Sequence, residues 1–335
     1  MLQRSHGRPG AARSGPERPG TTPDRHVRGH VTRRGYGRLV QTTSAELVPD
    51  RRTLAPLRNG RGDPTTQLGA AEFVRATLTP DGPGTLHLDW RGGTLQVRTW
   101  GPGGDWLRSR VPGLVGAHDE PVVFDDAPPA LARAQRNHPG LRIGASGTLY
   151  HDLLPTILAQ RITAMEAMRQ WRRLCLELGE PAPGPFPGVR LPPAPDRLAA
   201  TPSWWFHPRG VERKRAEPLI TVARHADHLW RWGGSSPAEA AGKLILLPGI
   251  GEWTIGTVLG TSFGEPDAVP VGDFHFKNVV AWSLAGEPRG TDERMLELLE
   301  PFRGQRGRVL RLLLLDGNGA PKFGPRQRIQ PMHRW

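Results

Sequence analysis

Between Leu154 and Leu178, apolar side chains recur at Leu154, Ile157, Leu158, Ile162, Met165, Trp171, Leu174 and Leu178. Steps of three and four put them on one face, so the spacing predicts a helix with one buried stripe. Earlier in the chain, "FVRATLT", "TLHLDW" and "TLQVRTW" carry the alternating or β-branched texture of short strands. Glycine-rich breaks at 81–84 and 91–93 separate them, which predicts a small antiparallel sheet ending near Trp100. "DWLRSRVPGLVG" and "APPALARAQRNHPG" read as helical pieces. Further helices are expected from about Gly210 through Ala223, and around 237–247, 252–262, 274–285 and 305–316. Thr291 and Asp292 supply a start for "ERMLELLEPF". The expected class is α+β. Residues 1–60 form a disordered basic tail, 61–136 a small β-containing domain, 137–318 a helical body and 319–335 a second basic tail.

Charge adds a preference for partners. The 335 residues hold 45 basic and 32 acidic side chains, a formal net of +13, and only Lys214, Lys243, Lys277 and Lys322 are lysines. Such a surplus favours polyanions. It is shared along the chain: residues 1–40 carry nine arginines against Glu17 and Asp24, and the body is mildly basic. The arginines of both tails, Arg326, Arg328 and Arg334 included, either contact phosphates or solvate the ends. A lone cysteine, Cys175, excludes an intramolecular disulfide and four-thiolate zinc or iron–sulfur sites. No apolar run approaches the roughly 18 residues of a membrane span, and the N-terminus lacks a signal peptide's apolar core. A soluble cytoplasmic protein is expected. His138, His151, His207, His225, His228 and His275 form no organised ligand set.

The densest chemistry lies in "LLPGIGEWTIGTVLGTSFGEPDAVPVGDFHFKNVV", residues 246–280. Pro248 ends one helix, Gly249 and Gly251 permit a tight reversal, and Glu252 and Trp253 open the next helix. A turn before a helix N-terminus can hold a phosphate through backbone amides, and can equally be a plain connection. Downstream, Asp273 reads as a reactive carboxylate or as the N-cap of the following helix.

"LPGIGEWTIG" followed by "AVPVGDFHFKNVV" at this spacing resembles the helix-hairpin-helix-Gly-Pro-Asp signature of base-excision DNA glycosylases, closest to the bacterial alkylation-repair branch typified by 3-methyladenine-DNA glycosylase II. "NHPGLRIGASGTLYHDLLPTILAQRIT" is similar to that branch's entry into its first core helix and "GVERKRAEPLITVARH" to its next helical region, so the likeness covers roughly residues 66–315, strong after 137 and mainly in domain order before it. It implies a two-lobed, mostly helical core that grips damaged double-stranded DNA and flips out one nucleotide. No membrane and no obligate protein partner is implied. Asp273 matches the catalytic acid. Trp253, Phe274, Thr257 and Leu314 match the base pocket, with Gly272, Thr257 and Leu314 standing where the familiar enzyme has an acid or aromatics. Trp253 also takes the place of the Schiff-base lysine of bifunctional relatives, which favours base removal without strand cleavage. Gln160 and Arg161 match the minor-groove wedge; Pro248, Gly249, Ile250, Gly251, Thr254 and Lys277 match DNA contacts. The carbonyls of Ile245, Leu247 and Ile250 match a site for structural Na+ or K+; no cofactor is required for the chemistry. The expected activity is hydrolysis of the N-glycosidic bond of alkylated purines such as 3-methyladenine or 7-methylguanine. A glycosylase/lyase and a non-catalytic hairpin DNA binder are the alternatives.

Overall fold

The computed structural model describes residues 39–45, 47–317 and 319–321. The first 38 residues and the tail with Arg326, Arg328 and Arg334 lie outside them. Five strands, β1 (Leu39–Ala45), β2 (Thr66–Leu68), β3 (Glu72–Thr79), β4 (Gly82–Asp89) and β5 (Leu95–Trp100), form one antiparallel sheet in the order β1-β5-β4-β3-β2. Fourteen α-helices complete the described residues. In chain order they are α1 (Arg51–Leu54), α2 (Gly104–Leu114), α3 (Pro129–Asn137), α4 (Leu149–Leu158), α5 (Ala164–Leu178), α6 (Pro195–Ala200) and α7 (Ser203–Phe206). Then follow α8 (Arg213–Arg224), α9 (Ala226–Trp232), α10 (Pro237–Leu244), α11 (Glu252–Val258), α12 (Phe276–Ala285), α13 (Asp292–Leu299) and α14 (Arg306–Leu315). The α+β class and the mostly helical body are as the sequence predicts.

Apolar burial divides the described residues into three large cores and a small fourth, in which Val74 and Ala76 of β3 meet Val189 and Leu191. One face of the sheet packs Phe73, Leu86, Leu88 and Val97 against Leu107, Val111 and Leu114 of α2 and against Leu54 and Leu57. A central lobe gathers Leu153, Leu154 and Ile157 of α4, Trp171 of α5, Leu219 of α8, and Ile255 and Val258 of α11. A second lobe joins Leu131 and Ala134 of α3 to Val279 and Val280 of α12, Met295 of α13, and Val309 and Leu313 of α14. The chain therefore enters the second lobe once before the central lobe and returns to it afterwards.

Three expectations need correction. The tail does not extend to residue 60: β1 and α1 lie inside it, and Leu54 and Leu57 are buried in the sheet's core. The boundary at 136 cuts through α3, whose apolar face belongs to the second lobe. The predicted helix from Leu154 to Leu178 is two helices. Arg215 donates from Nη1 to the carbonyl of Leu158 at 2.9 Å, satisfying the end of α4. Thr163 restarts the helix by accepting the amide of Glu166 at 3.3 Å. Between them Arg161 takes φ +57°, the left-handed region, and Met165 is 59% exposed rather than buried.

Buried polar groups lock these cores together. Arg75 of β3 pairs with Asp152 of α4 at 2.6 Å, with 3% and 7% of the two side chains exposed. Asp152 also accepts the hydroxyl of Ser262 at 2.7 Å, in the π-helical turn Leu259–Phe263 that continues α11. Arg308 of α14 donates to Asp119 and to the carbonyl of Leu141 at 2.8 Å. Desolvation offsets much of the attraction in ion pairs buried this deeply, and removing one partner would leave an uncompensated buried charge.

Candidate active site

Pro237 sits at the first position of α10, and Ser236 caps it in a reciprocal capping box with Glu239. The helix ends at Leu244, and Gly249 at φ +84° reverses the chain. A Cβ at Gly249 would lie 2.2 Å from Pro218 Cγ, so glycine is required by packing as well as by conformation. Leu247 and Ile250 are buried on the inner side of the turn, and the Ile250 amide closes it on the Leu247 carbonyl at 3.0 Å. Pro248, Gly249 and Gly251 face solvent. The predicted hairpin is present, with α11 as its second helix.

Trp253 lies on the first turn of α11, half-buried, and its indole Nε1 donates to Asp273 Oδ2 at 3.0 Å. The other carboxylate oxygen, Oδ1, accepts the amides of His275 at 2.8 Å and Phe276 at 3.1 Å. Those amides begin α12, so Asp273 does satisfy a helix start, and it is held by the other side as well. One oxygen is fixed by the second lobe and the other by the central lobe. An ionised carboxylate offers about four lone-pair sites, so three accepted bonds leave acceptor capacity for a further partner.

The loop carrying Asp273 is pressed onto α11. At Gly256 a Cβ would lie 2.4 Å from the Val269 carbonyl oxygen, which makes the bare backbone of this residue the seat of the loop. Asp292 steadies the loop from the other side, accepting the Gly272 amide at 3.0 Å and the Lys277 ammonium at 3.0 Å. Lys277 is thus bound to Asp292, and it is Asp292 that steadies the Asp273 loop through the backbone of Gly272. In the sequence Asp292 reads only as a helix start, and Gly256 only as one more glycine of the hairpin stretch. An acid beside the capping Thr291 and a mid-helix glycine were the available signals.

The remaining candidates divide. Phe274, next to the acid, is 76% exposed, in edge contact with His275 at 5.0 Å. Thr257 turns its hydroxyl to the Trp253 carbonyl at 2.8 Å. Leu314, 40% exposed, lies in the last turn of α14. Gln160 reaches the hairpin, donating to the Gly249 carbonyl at 2.9 Å and to Thr254 Oγ1 at 3.0 Å. Thr254 is 1% exposed, so its hydroxyl serves Gln160 and not a bound strand. Arg161 projects into solvent from the break between α4 and α5. Ile245, Leu247 and Ile250 bracket the turn, and their carbonyls are neutral oxygen donors of the kind an alkali cation accepts. Among the described residues no group of three or more His, Cys, Asp and Glu side chains is placed to hold a metal, and no helix is long and apolar enough to cross a membrane.

No model of a known protein family matches the sequence. Among solved structures, the chain is similar to a 3-methyladenine DNA-glycosylase from Archaeoglobus fulgidus, with a TM-score of 0.66 and 16% identity over 83% of this chain and 98% of that one. It is also similar to an 8-oxoguanine glycosylase/lyase from Clostridium acetobutylicum in its apo-form, with a TM-score of 0.58 and 14% identity over 82% and 98%. The same enzyme with double-stranded DNA containing cytosine opposite 8-oxoG aligns at a TM-score of 0.58 and 12% identity over 82% and 96%. The likeness shows that this chain shares the fold of these structures.

Proposed function

We propose that this chain is a DNA glycosylase that removes a damaged base from a nucleotide flipped out of duplex DNA. The observation that carries the reading is Asp273: a half-buried carboxylate, braced from two lobes, with acceptor capacity left over. As the N-glycosidic bond breaks, its electron pair leaves with the base and positive charge grows on the deoxyribose. The Asp273 carboxylate stabilises that charge and takes a proton from the water whose oxygen bonds to the anomeric carbon. The products are a free base and an abasic site.

The substrate class we favour is an alkylated purine such as 3-methyladenine or 7-methylguanine. A methylated ring already carries positive charge, so it departs without a dedicated acid. Phe274 supplies an exposed aromatic face beside Asp273, and stacking on a cationic ring contributes roughly 0.5–2 kcal/mol. Trp253 has no amine, and Lys277, the nearby lysine in sequence, is held by Asp292. Both favour hydrolysis without strand cleavage. Arg161 is the proposed wedge that fills the vacated stack, and Gln160 holds α4 against the hairpin beneath it. The exposed amides of Gly249 and Gly251 donate to the strand phosphate beside Pro248, and Na+ or K+ on the carbonyls of Ile245, Leu247 and Ile250 would neutralise it.

The test is Asp273→Asn on duplexes carrying alkylated, deaminated or oxidised bases. Asparagine keeps an acceptor for the helix amides and removes the charge. Base release in single turnover is expected to fall by at least ~10²-fold, the order seen when one transition-state electrostatic contact is lost, with duplex affinity retained. Release at the wild-type rate would refute the role of Asp273. Borohydride treatment of the wild-type reaction with abasic-site DNA is expected to trap no adduct; a trapped adduct would move the activity to the glycosylase/lyase class.

A further inference from the structure

A depression of about 220 Å³ opens between the loop preceding β2 and α5, lined among others by Arg58, Arg61, Gly62, Asp63, Gln67 and Arg172. None of the residues assigned above to DNA or the damaged base lines it. Its volume is below the roughly 300–1,000 Å³ of pockets that enclose drug-sized ligands, and suits a small ligand.

The wall is built around positive charge. Arg58 is anchored, donating to the Arg61 carbonyl at 2.8 Å and the Leu68 carbonyl at 3.3 Å. Arg172, reaching across from α5, lies over Gly62: a Cβ there would come within 3.3 Å of Arg172 Cδ. Arg61 and Arg172 are exposed, and no carboxylate of the described residues pairs with either. Asp63, the one acid in the lining, is already committed. Its Oδ1 accepts from the Thr65 amide at 2.9 Å, the Thr65 hydroxyl at 2.8 Å and Trp171 Nε1 at 3.0 Å, and its Oδ2 accepts the Asn59 amide at 2.8 Å.

Several other exposed arginines of this chain have a carboxylate partner. Arg91 pairs with Asp89, Arg173 with Glu177 at 2.7 Å, Arg213 with Glu217 at 2.5 Å and Arg303 with Glu300 at 2.6 Å. Beside the anchored Arg58, Arg61 and Arg172 bring two uncommitted donor forks to one concavity, and planar forked donors match tetrahedral oxyanions. We propose that this depression binds a phosphoryl group, either a phosphodiester of a nucleic-acid strand or a free phosphate ester. The proposal does not depend on the glycosylase reading.

The experiment uses the full chain, the double variant Arg61→Gln/Arg172→Gln, and Arg91→Gln as a control that removes an exposed charge elsewhere. Pyrophosphate binding is measured by calorimetry, and affinity for undamaged duplex is measured across a salt series. In the first arm, binding at least tenfold weaker in the double variant and unchanged in the control identifies a site for a free phosphate ester. In the second, a salt slope reduced by about 0.9 per lost contact identifies a strand phosphodiester. Either difference supports the site. A double variant that matches the wild-type chain in both pyrophosphate affinity and salt slope overturns it. Base release dependent on Asp273 is a separate readout, so this site and the proposed activity can fail independently.

Discussion

Trp253 and Asp273 lie 20 positions apart and meet edge to oxygen. The bond gives the tryptophan a duty the sequence did not assign, which is to aim the carboxylate. Hydrogen bonds to charged groups contribute about 1.5–3 kcal/mol, and only the ring edge carries this one. Trp253→Phe keeps the apolar face and removes the donor. We predict base release slower by ~10–100-fold in single turnover, with affinity for damaged duplex within about twofold of wild type. Trp253→His, which retains a ring N–H, is predicted to recover part of the rate. A tryptophan that serves only as a stacking face would show the reverse pattern, with affinity lost and Phe tolerated.

Among the elements, Gly256 has the largest leverage on the site. Gly256→Ala places a methyl group against the Val269 carbonyl and displaces the loop that bears Asp273. The expected cost is about 1–3 kcal/mol, read as a lower urea midpoint at constant slope, together with slower base release. The same scale shows what could be read from sequence. The helices of the body and strands β3, β4 and β5 announce themselves by period and by glycine-rich turns. The break between α4 and α5 does not, because the apolar rhythm runs on through Ile162 while a distant arginine, Arg215, ends the first helix. β2 is three residues long, and β1 lies in an apolar-poor segment, so neither rises above its surroundings. At the site, Asp273, Trp253 and the hairpin were legible from one short stretch. Asp292, the role of Gln160 as a brace and the committed state of Lys277 depend on partners 15 to 94 positions away, which no local pattern encodes.

For the whole molecule, the joint between sheet and body is sensitive to pH. His151 is fully buried between Thr65 and Thr77, its ring nitrogens 3.2 and 3.0 Å from their hydroxyls. Burial, reinforced by the charge of Arg75, holds its pKa well below 6.5. Below pH 6.5 the unfolded chain therefore binds a proton that the native chain refuses, and stability falls as pH falls toward the native pKa. The slope contributed by this residue is at most about 1.4 kcal/mol per pH unit. Urea titrations at pH 7 and pH 5 are expected to show the loss, and His151→Gln is expected to reduce it. A separate acid limb lies below pH 3.8, where Asp50, held low first by its hydrogen bond from Arg52, loses its stabilising charge.

The shared carboxylate of Asp273 also sets where this scaffold can change its specificity. Its two oxygens tie α11 to the start of α12, so any substitution that shifts the acid also loosens a helix and the seam between lobes. The position of the acid is therefore fixed by the fold, and under the proposed activity a new lesion range has to be written on its neighbours. On the proposed reading Phe274, Thr257 and Leu314 are the positions to vary, since none of their side chains holds Asp273 in place.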